Sequence, residues 1–468
     1  MVLAACAVQS SVSPVPSLTP PSTAEESIGP SASTQPTPTE MPADTGPSQI
    51  GQVIADEPMV LRSAPGTGFN STILEGRLYP AMRFRILEGP VAASGYQWYR
   101  VRVGSLEGWA AAGTREDQLH EAWLARVENG GIAVTSESTG ADLPQVYLVE
   151  PDGELTQLTD LTNDDAVAAQ VLSGNVTVLT CGTDVSSLAW SSDGRALAFG
   201  FGACETNIFM LFLDGGTQRK LAFGRNVAWS PDGTRVSFGL NFAFLACREQ
   251  GCEPGPWELQ VAAVGGAPPV AVTRSDPFVT TSSPDWSPDG RSIAFVAALV
   301  GADSGNEVTW IVDLETGREH EVAPGRQPQW SPDGKRLLLQ RIVDPPEVPG
   351  CGSCEGELWS VALEGSDEVL LGSGYDGQWS PAGDHLAFWS GFEDSHVTVA
   401  NGDGSNPRVL DTPGRFLGWS PDGRQVLVWD ERTLWRVPID GAAPVQVIDS
   451  VGAFSGAWQP LLVPIAGG

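Results

Sequence analysis

The sequence predicts an all-β protein whose main part is a seven-bladed β-propeller. One phrase, built on Trp-Ser, recurs six times, and successive Trp residues lie 39 to 57 positions apart. A repeat of about forty residues is typical of a propeller blade. The 54 Gly, 37 Pro and 16 Trp, without long helical patterns, also favour short strands joined by turns. The alternative is six blades, with the chain ends as decoration.

Each repeat can be read as four antiparallel strands. A short apolar strand ends at the Trp, and Ser-Pro-Asp-Gly follows as a tight turn. There Pro fixes φ, Asp hydrogen-bonds its own backbone, and Gly supplies a positive φ. An alternating strand such as Ala196–Phe199 comes next, and two more strands close the unit. The copies are centred on Trp190, Trp229, Trp286, Trp330, Trp379 and Trp419.

Two copies depart from the phrase, because Ser192 replaces Pro in the first and Ala382 replaces Asp in the fifth. We expect Asp384 to take the capping role in the fifth copy. The turn aspartates could alternatively ligate a metal, but a turn of this kind needs Asp for its own backbone, which is the interpretation we favour. These aspartates are Asp193, Asp232, Asp289, Asp333 and Asp422.

The blade count follows from the two ends of the repeat region. Residues 131–160 read as strands two to four of a blade without its first strand, and the segment around Trp458 reads as a first strand alone. Pairing Trp458 beside residues 131–136 would close the ring and leave no free sheet edge. This pairing predicts seven blades.

The recurring W-S-P-D-G followed by an apolar strand resembles the TolB-like propeller repeat. The resemblance covers residues 117–468, about three-quarters of the chain. It implies a rigid ring of blades that presents loops to a ligand.

Residues 51–116 are short alternating runs separated by Gly-containing turns, which predicts a small barrel. Leu61–Thr67, Gly76, Trp98–Val101 and Gly108-Trp109 resemble, in order, a bacterial SH3-like domain. Met59-Val60-Leu61 departs from the Asn-Val usual in that family. The resemblance implies export and peptide binding, with Trp98, Tyr99 and Trp109 forming an aromatic groove. The alternative is that the Trp side chains are core residues of a very small barrel.

Residues 1–50 predict a disordered linker, because a Ser/Thr/Pro-rich run cannot bury enough apolar surface to fold. Leu3-Ala4-Ala5-Cys6 resembles the lipobox of bacterial lipoproteins, which implies lipidation of Cys6. No basic and apolar signal region precedes Cys6, so this interpretation needs a true start upstream. The alternative is a chance Cys in a disordered tail.

The net charge of −31 argues against a nucleic-acid partner, since binding to a phosphate backbone relies on basic residues. Residues 51–116 carry six acids and seven Arg, so the acidic surface, about −28, belongs to the propeller. It favours solubility and could attract basic partners or cations.

Six further cysteines lie in the propeller, and they form three pairs close in sequence. We expect three disulfides on one rim of the propeller, which implies that the protein resides in an oxidising compartment. A redox role for Cys351-Gly-Ser-Cys354 and a zinc site are the alternatives. The six residues are Cys181, Cys204, Cys247, Cys252, Cys351 and Cys354.

The sequence contains no catalytic signature, and we expect no enzyme activity, cofactor or metal. It lacks a G-x-S-x-G elbow, an H-E-x-x-H pair, a Walker A loop and a G-x-G-x-x-G after a strand. His120, His320, His385 and His396 are scattered. The alternative is a glycan-active lyase or hydrolase with carboxylates in the channel.

We therefore expect an exported, lipid-anchored, monomeric envelope protein whose partner is a protein or a cell-wall peptide. A structural scaffold without a small ligand is a second alternative. The predicted ligand face consists of the long loops after the second strands, at residues 200–207, 241–256, 298–307, 341–357 and 390–396. Candidate binding residues on these loops are Glu205, Arg248, Glu249, Asp303, Glu307, Arg341, Asp344, Glu393 and Asp394.

Overall fold

Every regular element in the described part of the chain is a β-strand, as the sequence predicts. Pro47–Gly468 form one compact unit. The computed structural model describes residues 49–114, 121–135, 145–159, 184–202, 206–241, 257–273, 278–299, 307–343, 355–390, 395–449 and 456–465.

Six four-stranded antiparallel sheets follow one another along the chain as the blades of a propeller, and each blade pairs its strands in chain order. Blade one contains β10 (Asp184–Trp190), β11 (Ala196–Gly202), β12 (Thr206–Phe212) and β13 (Thr217–Phe223). Blade two contains β14 (Arg225–Trp229), β15 (Arg235–Asn241), β16 (Trp257–Ala263) and β17 (Val270–Ala271). Blade three contains β18 (Phe278–Trp286), β19 (Ser292–Leu299), β20 (Val308–Asp313) and β21 (Glu319–Pro324).

The remaining blades have the same order. Blade four contains β22 (Arg326–Trp330), β23 (Arg336–Val343), β24 (Glu355–Ala362) and β25 (Val369–Ser373). Blade five contains β26 (Tyr375–Trp379), β27 (His385–Ser390), β28 (His396–Asn401) and β29 (Arg408–Pro413). Blade six contains β30 (Arg415–Trp419), β31 (Gln425–Trp429), β32 (Thr433–Pro438) and β33 (Val445–Asp449).

A further group of four strands, here called the closing sheet, joins the two ends of the propeller region. It consists of β34 (Gly456–Pro464), β7 (Leu124–Thr135), β8 (Val146–Val149) and β9 (Leu155–Gln157), paired in that order. Trp458 pairs with Ile132 and Ala457 with Ala133, so the pairing expected from the sequence is present. β34 also contacts the first strands β30 and β10 of blades six and one.

Six strands precede the closing sheet, here called the N-terminal strands. They are β1 (Gln49–Val53), β2 (Met59–Arg62), β3 (Ile73–Leu78), β4 (Arg83–Ala93), β5 (Tyr96–Val103) and β6 (Leu106–Ala111). Their order is β3-β2-β6-β5-β4-β1, and β1 pairs with β7, so they form one sheet with the closing sheet. Their core includes Leu61, Leu78, Phe84 and Val101, all buried.

The Trp-Ser-Pro-Asp-Gly turns have the predicted geometry. In blade two, Gly233 has φ +66° and its N–H donates to the Ser230 carbonyl at 2.9 Å. Asp232 Oδ1 accepts from the Ser230 hydroxyl at 2.5 Å and from the Thr234 N–H at 3.0 Å. The same Ser-to-Asp bond recurs at Asp193, Asp289, Asp333 and Asp422. In blade five Asp384 accepts from Ser380 at 2.7 Å, which confirms its expected role.

The phrase tryptophans connect neighbouring blades through their indole N–H groups. Five of the six donate to the carbonyl of the residue before the Trp of the preceding sheet, as Trp229 does to Ala189 at 2.8 Å. Trp190 donates at 3.0 Å to Ala457, which precedes Trp458 in the closing sheet. Trp286, Trp330 and Trp419 follow the same rule. Trp379 differs, because it donates to Gly402 within its own blade.

No helix in the described ranges has the length and apolar character needed to cross a membrane.

Trp458→Ala should destabilise the fold by about 3–5 kcal/mol, the range for truncating a buried aromatic side chain. Trp458 is 7% exposed and packs with Ile132, Val134 and Leu427. Denaturant unfolding followed by tryptophan fluorescence measures the loss. Val463→Ala in the same strand is the control, because Val463 is 42% exposed and should change stability by about 0.5 kcal/mol or less. Equal effects of the two variants would contradict closure through Trp458.

Candidate binding site on the turn face

The Trp-Ser turns of all blades lie at one end of the propeller, here called the turn face. Hydrogen bonds join the turns of blades one, two and three: Ser192 donates to the Pro231 carbonyl at 2.9 Å and Arg235 to the Gly290 carbonyl at 3.1 Å. The closing sheet contacts the turns of blades one and six. Gln459 Nε2 donates to the Gly194 carbonyl at 2.9 Å, and Asn129 Oδ1 accepts from the Asp422 N–H at 3.1 Å.

The N-terminal strands cover the turns of blades four and five. Arg85 forms an ion pair with Asp384, and their side chains are 9% and 14% exposed. The N–H and hydroxyl of Ser105 donate to Asp333 Oδ2 at 3.1 and 2.9 Å. The Gly104 N–H donates to the Ala382 carbonyl at 2.9 Å. The small module is therefore fixed to the propeller by polar contacts with the turn residues themselves.

The turns of blades one, two and three form the floor of an open cleft of about 970 Å³, and at its edge Gln52 of β1 donates to the Ser192 carbonyl at 3.3 Å. One wall is the end of β1 and the segment after it, through Asp56, with Pro80 and Ala81. The other wall is the extension of β34, where Leu461 is 40% exposed. The propeller side of the lining comprises Ser192, Asp193, Gly194, Arg195, Leu213, Asp214, Pro231, Asp232, Thr234, Arg235, Pro288, Asp289 and Gly290.

Carboxylates dominate the polar chemistry of this cleft. Five aspartates line it against two arginines. Arg235 is engaged, since it donates to the Gly290 carbonyl at 3.1 Å and stacks on Trp286 at 4.6 Å. Burial acts to raise the pKa of Asp232, but hydrogen bonds from Ser230 and Thr234 outweigh it and hold that pKa below its usual value. The cleft therefore carries negative charge at neutral pH.

The covered turns have the same preference for the ionised carboxylate. At Asp333 hydrogen bonds from Ser331 and Ser105 outweigh burial and lower the pKa. At Asp384 burial opposes ionisation, but the hydrogen bond from His385 and the charge of Arg85 lower the pKa strongly.

A second set of polar side chains lies on the first strands, which surround the centre of the ring. The residue three positions before the Trp has a positive φ in blades one to five, and polar side chains occupy these positions: Ser187, Asn226, Ser283, Gln327 and Asp376. Gln327 donates to Asp376 Oδ1 at 2.9 Å, and Trp389 donates to Asp376 Oδ2 at 2.7 Å. The first of these bonds links blade four to blade five, and the second joins two strands of blade five.

Asp285 is the titratable group with the largest upward shift on these strands. The residue is half-buried, and burial of its carboxyl raises the pKa to about 7 despite hydrogen bonds from the backbone N–H groups of Trp330 and Trp286. The backbone N–H of Trp330 donates to Oδ2 at 2.6 Å. Asp285 thus connects blade three to blade four.

The three aromatic residues of the predicted groove lie mostly inside the N-terminal strands. Trp98 is 3% exposed and donates to the Ala93 carbonyl at 2.9 Å, and Tyr99 is 5% exposed. Trp109 is half-buried. Only Trp109 therefore keeps appreciable surface for a ligand, and the groove stays a prediction.

Two of the predicted loop residues are described. Arg341 lies in β23 rather than in a loop, stacks on Trp359 at 4.8 Å and bonds both oxygens of Glu368 at 2.9 and 2.6 Å. Glu307 is half-buried, and its carbonyl accepts from the Gly325 N–H. The other loop candidates lie outside the described residues: Glu205, Arg248, Glu249, Asp303, Asp344, Glu393 and Asp394.

Cys6 and the six paired cysteines also lie outside the described residues, so the lipidation and the disulfides remain predictions. Within the ranges that the structure describes, no group of three or more His, Cys, Asp or Glu side chains could hold a metal ion. The turn aspartates serve their own backbone, as preferred from the sequence.

Sequence reasoning placed the ligand face on the long loops, most of whose candidate residues lie outside the described ranges, and did not single out the turn face. The two copies that depart from the phrase could have indicated contacts on the turn face. Ser192 replaces Pro and bonds the next turn. Ala382 replaces Asp, is 2% exposed and packs on Ile50 beneath the N-terminal strands. Both substitutions mark contacts that a Pro or an Asp would not allow.

The fold and the turn-face site define a β-propeller carrying a small β module, and comparison with known proteins gives a partial similarity. A stretch of 91 residues is 35% identical to Tol-Pal system protein TolB of Alcanivorax borkumensis, covering 19% of this chain and 20% of that protein. A stretch of 68 residues is 40% identical to Tol-Pal system protein TolB of Chromobacterium violaceum, covering 14% of each chain. The chain thus matches a fifth or less of the length of these curated relatives. No protein-family model matches the chain.

Solved structures with partial similarity include TolB from Acinetobacter baumannii, which is 16% identical with a TM-score of 0.41. That similarity covers 70% of this chain and 66% of the other. Another is oligogalacturonate lyase in complex with manganese, 13% identical with a TM-score of 0.46, covering 69% of this chain and 86% of the other. At these values the structural similarities assign no activity to the chain.

Arg85→Met should destabilise the protein by about 3–5 kcal/mol, because it leaves the carboxylate of Asp384 buried without its counter-charge. Urea unfolding at neutral pH measures the change. Arg77→Met is the matched control, since Arg77 is exposed on the same group of strands. A loss at Arg85 no larger than at Arg77 would show that the ion pair does not fix the N-terminal strands to blade five.

Asp285→Asn should stabilise the protein at pH 8 and have little effect near pH 4. The folded-state pKa of about 7 lies above the unfolded value, so the wild type loses stability as pH rises from about 4 to 7. Asn keeps an oxygen for the Trp330 N–H and does not ionise. The gain at pH 8 is at most about 4 kcal/mol, from 1.36 kcal/mol per pKa unit. Melting temperatures of both proteins at the two pH values measure it. A pH-independent difference would contradict the shifted pKa.

Proposed function

We propose that this chain is an exported cell-envelope scaffold that binds a segment of a partner protein in the turn-face cleft. The observation that carries the proposal is the composite wall of the cleft. Residues of the N-terminal strands, of the first three turns and of β34 all line it, so the cleft forms only when these three parts are assembled. A cleft of this size, open to solvent and lined by both Pro and Asp, suits an extended polypeptide.

The closing sheet acts as a seventh blade in this proposal. Its support is the hydrogen bond from Trp190 to Ala457, which repeats the rule of the other blades, and the pairing of Trp458 with Ile132. A closed ring keeps the turns at fixed spacing, which a multi-point binding face requires. Residues 51–116, which contain nearly all of the N-terminal strands, would be the SH3-like domain, and Trp109 would be its remaining candidate contact.

The extracytoplasmic location rests on the lipobox-like Cys6 and on the six paired cysteines of the propeller. The two curated relatives are named as proteins of a Tol-Pal system, which supports a role in association with other proteins. Lipid anchoring and a monomeric state belong to the same proposal.

The contacts of the described channel carboxylates favour binding over the glycan-active alternative. Asp376 accepts from Gln327 and Trp389, and Asp285 accepts from Trp330. Both carboxylates therefore act inside the wall, where their hydrogen bonds join blades.

A photo-crosslinking amino acid at Leu461, inside the cleft, tests the proposal in cells that express the protein. We expect it to give one discrete crosslinked protein in the envelope fraction. The same amino acid at Val445, which is 46% exposed on β33 and outside the cleft, is the matched control and should give none. Equal labelling from both positions, or none from Leu461, would overturn binding in the cleft.

A further inference from the structure

The turn aspartates use their two carboxylate oxygens differently. In the five turns that have Asp at this position, Oδ1 accepts from the Ser hydroxyl two positions earlier and from a backbone N–H two positions later. In blade five, Oδ1 of Asp384 accepts from the Ser380 hydroxyl, four positions earlier. The turn itself therefore leaves the second oxygen, Oδ2, of each of these aspartates for other donors.

In blades four and five, the N-terminal strands occupy this second oxygen. Ser105 donates its N–H and hydroxyl to Oδ2 of Asp333, and Lys335 donates to the Ser105 hydroxyl at 2.6 Å. Arg85 donates to Oδ2 of Asp384 through its guanidinium. The chain itself thus shows how a polypeptide recognises these turns: by arginine, hydroxyl and backbone N–H donors.

In blades one, two and three, the equivalent aspartates line the cleft. Among the described residues, no hydrogen bond reaches Oδ2 of Asp193, Asp232 or Asp289. Asp193 and Asp232 are exposed, and Asp289 is half-buried. Two further carboxylates, Asp56 and Asp214, lie on the rim.

We infer that the cleft is a docking surface for a basic, extended segment of a partner protein, which donates arginine, hydroxyl and N–H groups to Asp193, Asp232 and Asp289. Charge complementarity selects this occupant. The acidic N-terminal segment of the chain, with four acids and no base in residues 1–50, carries the wrong charge. The inference rests on the proposed function and specifies the partner's chemistry.

Replacing the three aspartates by asparagine isolates the second oxygen. Asn keeps Oδ1 as the acceptor that the turn requires and replaces Oδ2 with an N–H₂ donor, so the turns should remain formed. The matched control is the triple variant Asp313→Asn, Asp403→Asn and Asp440→Asn. Each of these residues accepts a backbone N–H at Oδ1 in another turn and lies outside the cleft, and the variant changes the net charge equally.

The probe is a fluorescein-labelled ten-residue peptide of alternating Arg and Ser, with a Glu–Ser peptide as its opposite. Fluorescence anisotropy at about 0.15 M salt, where long-range attraction is largely screened, measures Kd for full-length protein. We expect the cleft triple variant to weaken Arg–Ser binding by at least about tenfold and the control triple variant to leave it unchanged. Equal melting temperatures of the two variants would establish that the cleft variant is folded.

Equal weakening by both triple variants would overturn the inference, since it would mean attraction to the net charge alone. Preference for the Glu–Ser peptide would overturn it too, as would self-association that only the cleft variant abolishes. Crosslinking from Leu461 to a partner whose binding the cleft triple variant leaves unchanged would reject this inference and keep the proposed function. Absence of any crosslink from Leu461 in the otherwise wild-type protein would reject both this inference and the proposed function.

Discussion

The closure of the ring by the closing sheet is the constraint on which the rest of the structure depends. A blade buries both faces against its neighbours, so a ring with a gap would expose two apolar faces. The gap is closed by pairing between β34 and β7, by the indole of Trp190 bonding to Ala457, and by Gln459 and Asn129, which continue the row of turns. Because the closing strands come from opposite ends of the propeller region, closure also joins β7 to β1 and brings the N-terminal strands onto the turn face.

Because the N-terminal strands lie on the turn face, some copies of the repeated turn are covered by them and others face the cleft. In five of the six turns an aspartate accepts a backbone N–H of the turn through Oδ1, and the turn does not use its second oxygen. Where the N-terminal strands lie above the turns, Arg85 and Ser105 use that oxygen and fix the small module in place. Where they do not, the same chemistry faces the cleft. The proposed binding face is thus a consequence of a repeated turn that the N-terminal strands cover over only part of the ring.

Much of the architecture was predictable from local patterns. The period of the Trp phrase predicts the blades, the turn residues predict the positive φ of Gly233 and its equivalents, and the incomplete ends predict the pairing of Trp458 with residues 131–136. The site was less predictable. The aromatic residues Trp98 and Tyr99 were candidates for a groove, yet both are buried, because so small a group of strands needs its large side chains inside. Arg341, expected in a loop, lies in a strand and pairs with Glu368.

The sequence by itself determined the elements whose causes are local. A Pro-Asp-Gly turn follows from backbone sterics and side-chain hydrogen bonds within five residues, and an alternating strand follows from one buried face. Only the tertiary structure decided which turns are covered, since that depends on contacts between residues such as Arg85 and Asp384, about three hundred positions apart in the chain. No local pattern encodes such a distance. The placement of the cleft over blades one to three is therefore a property of the folded ring alone.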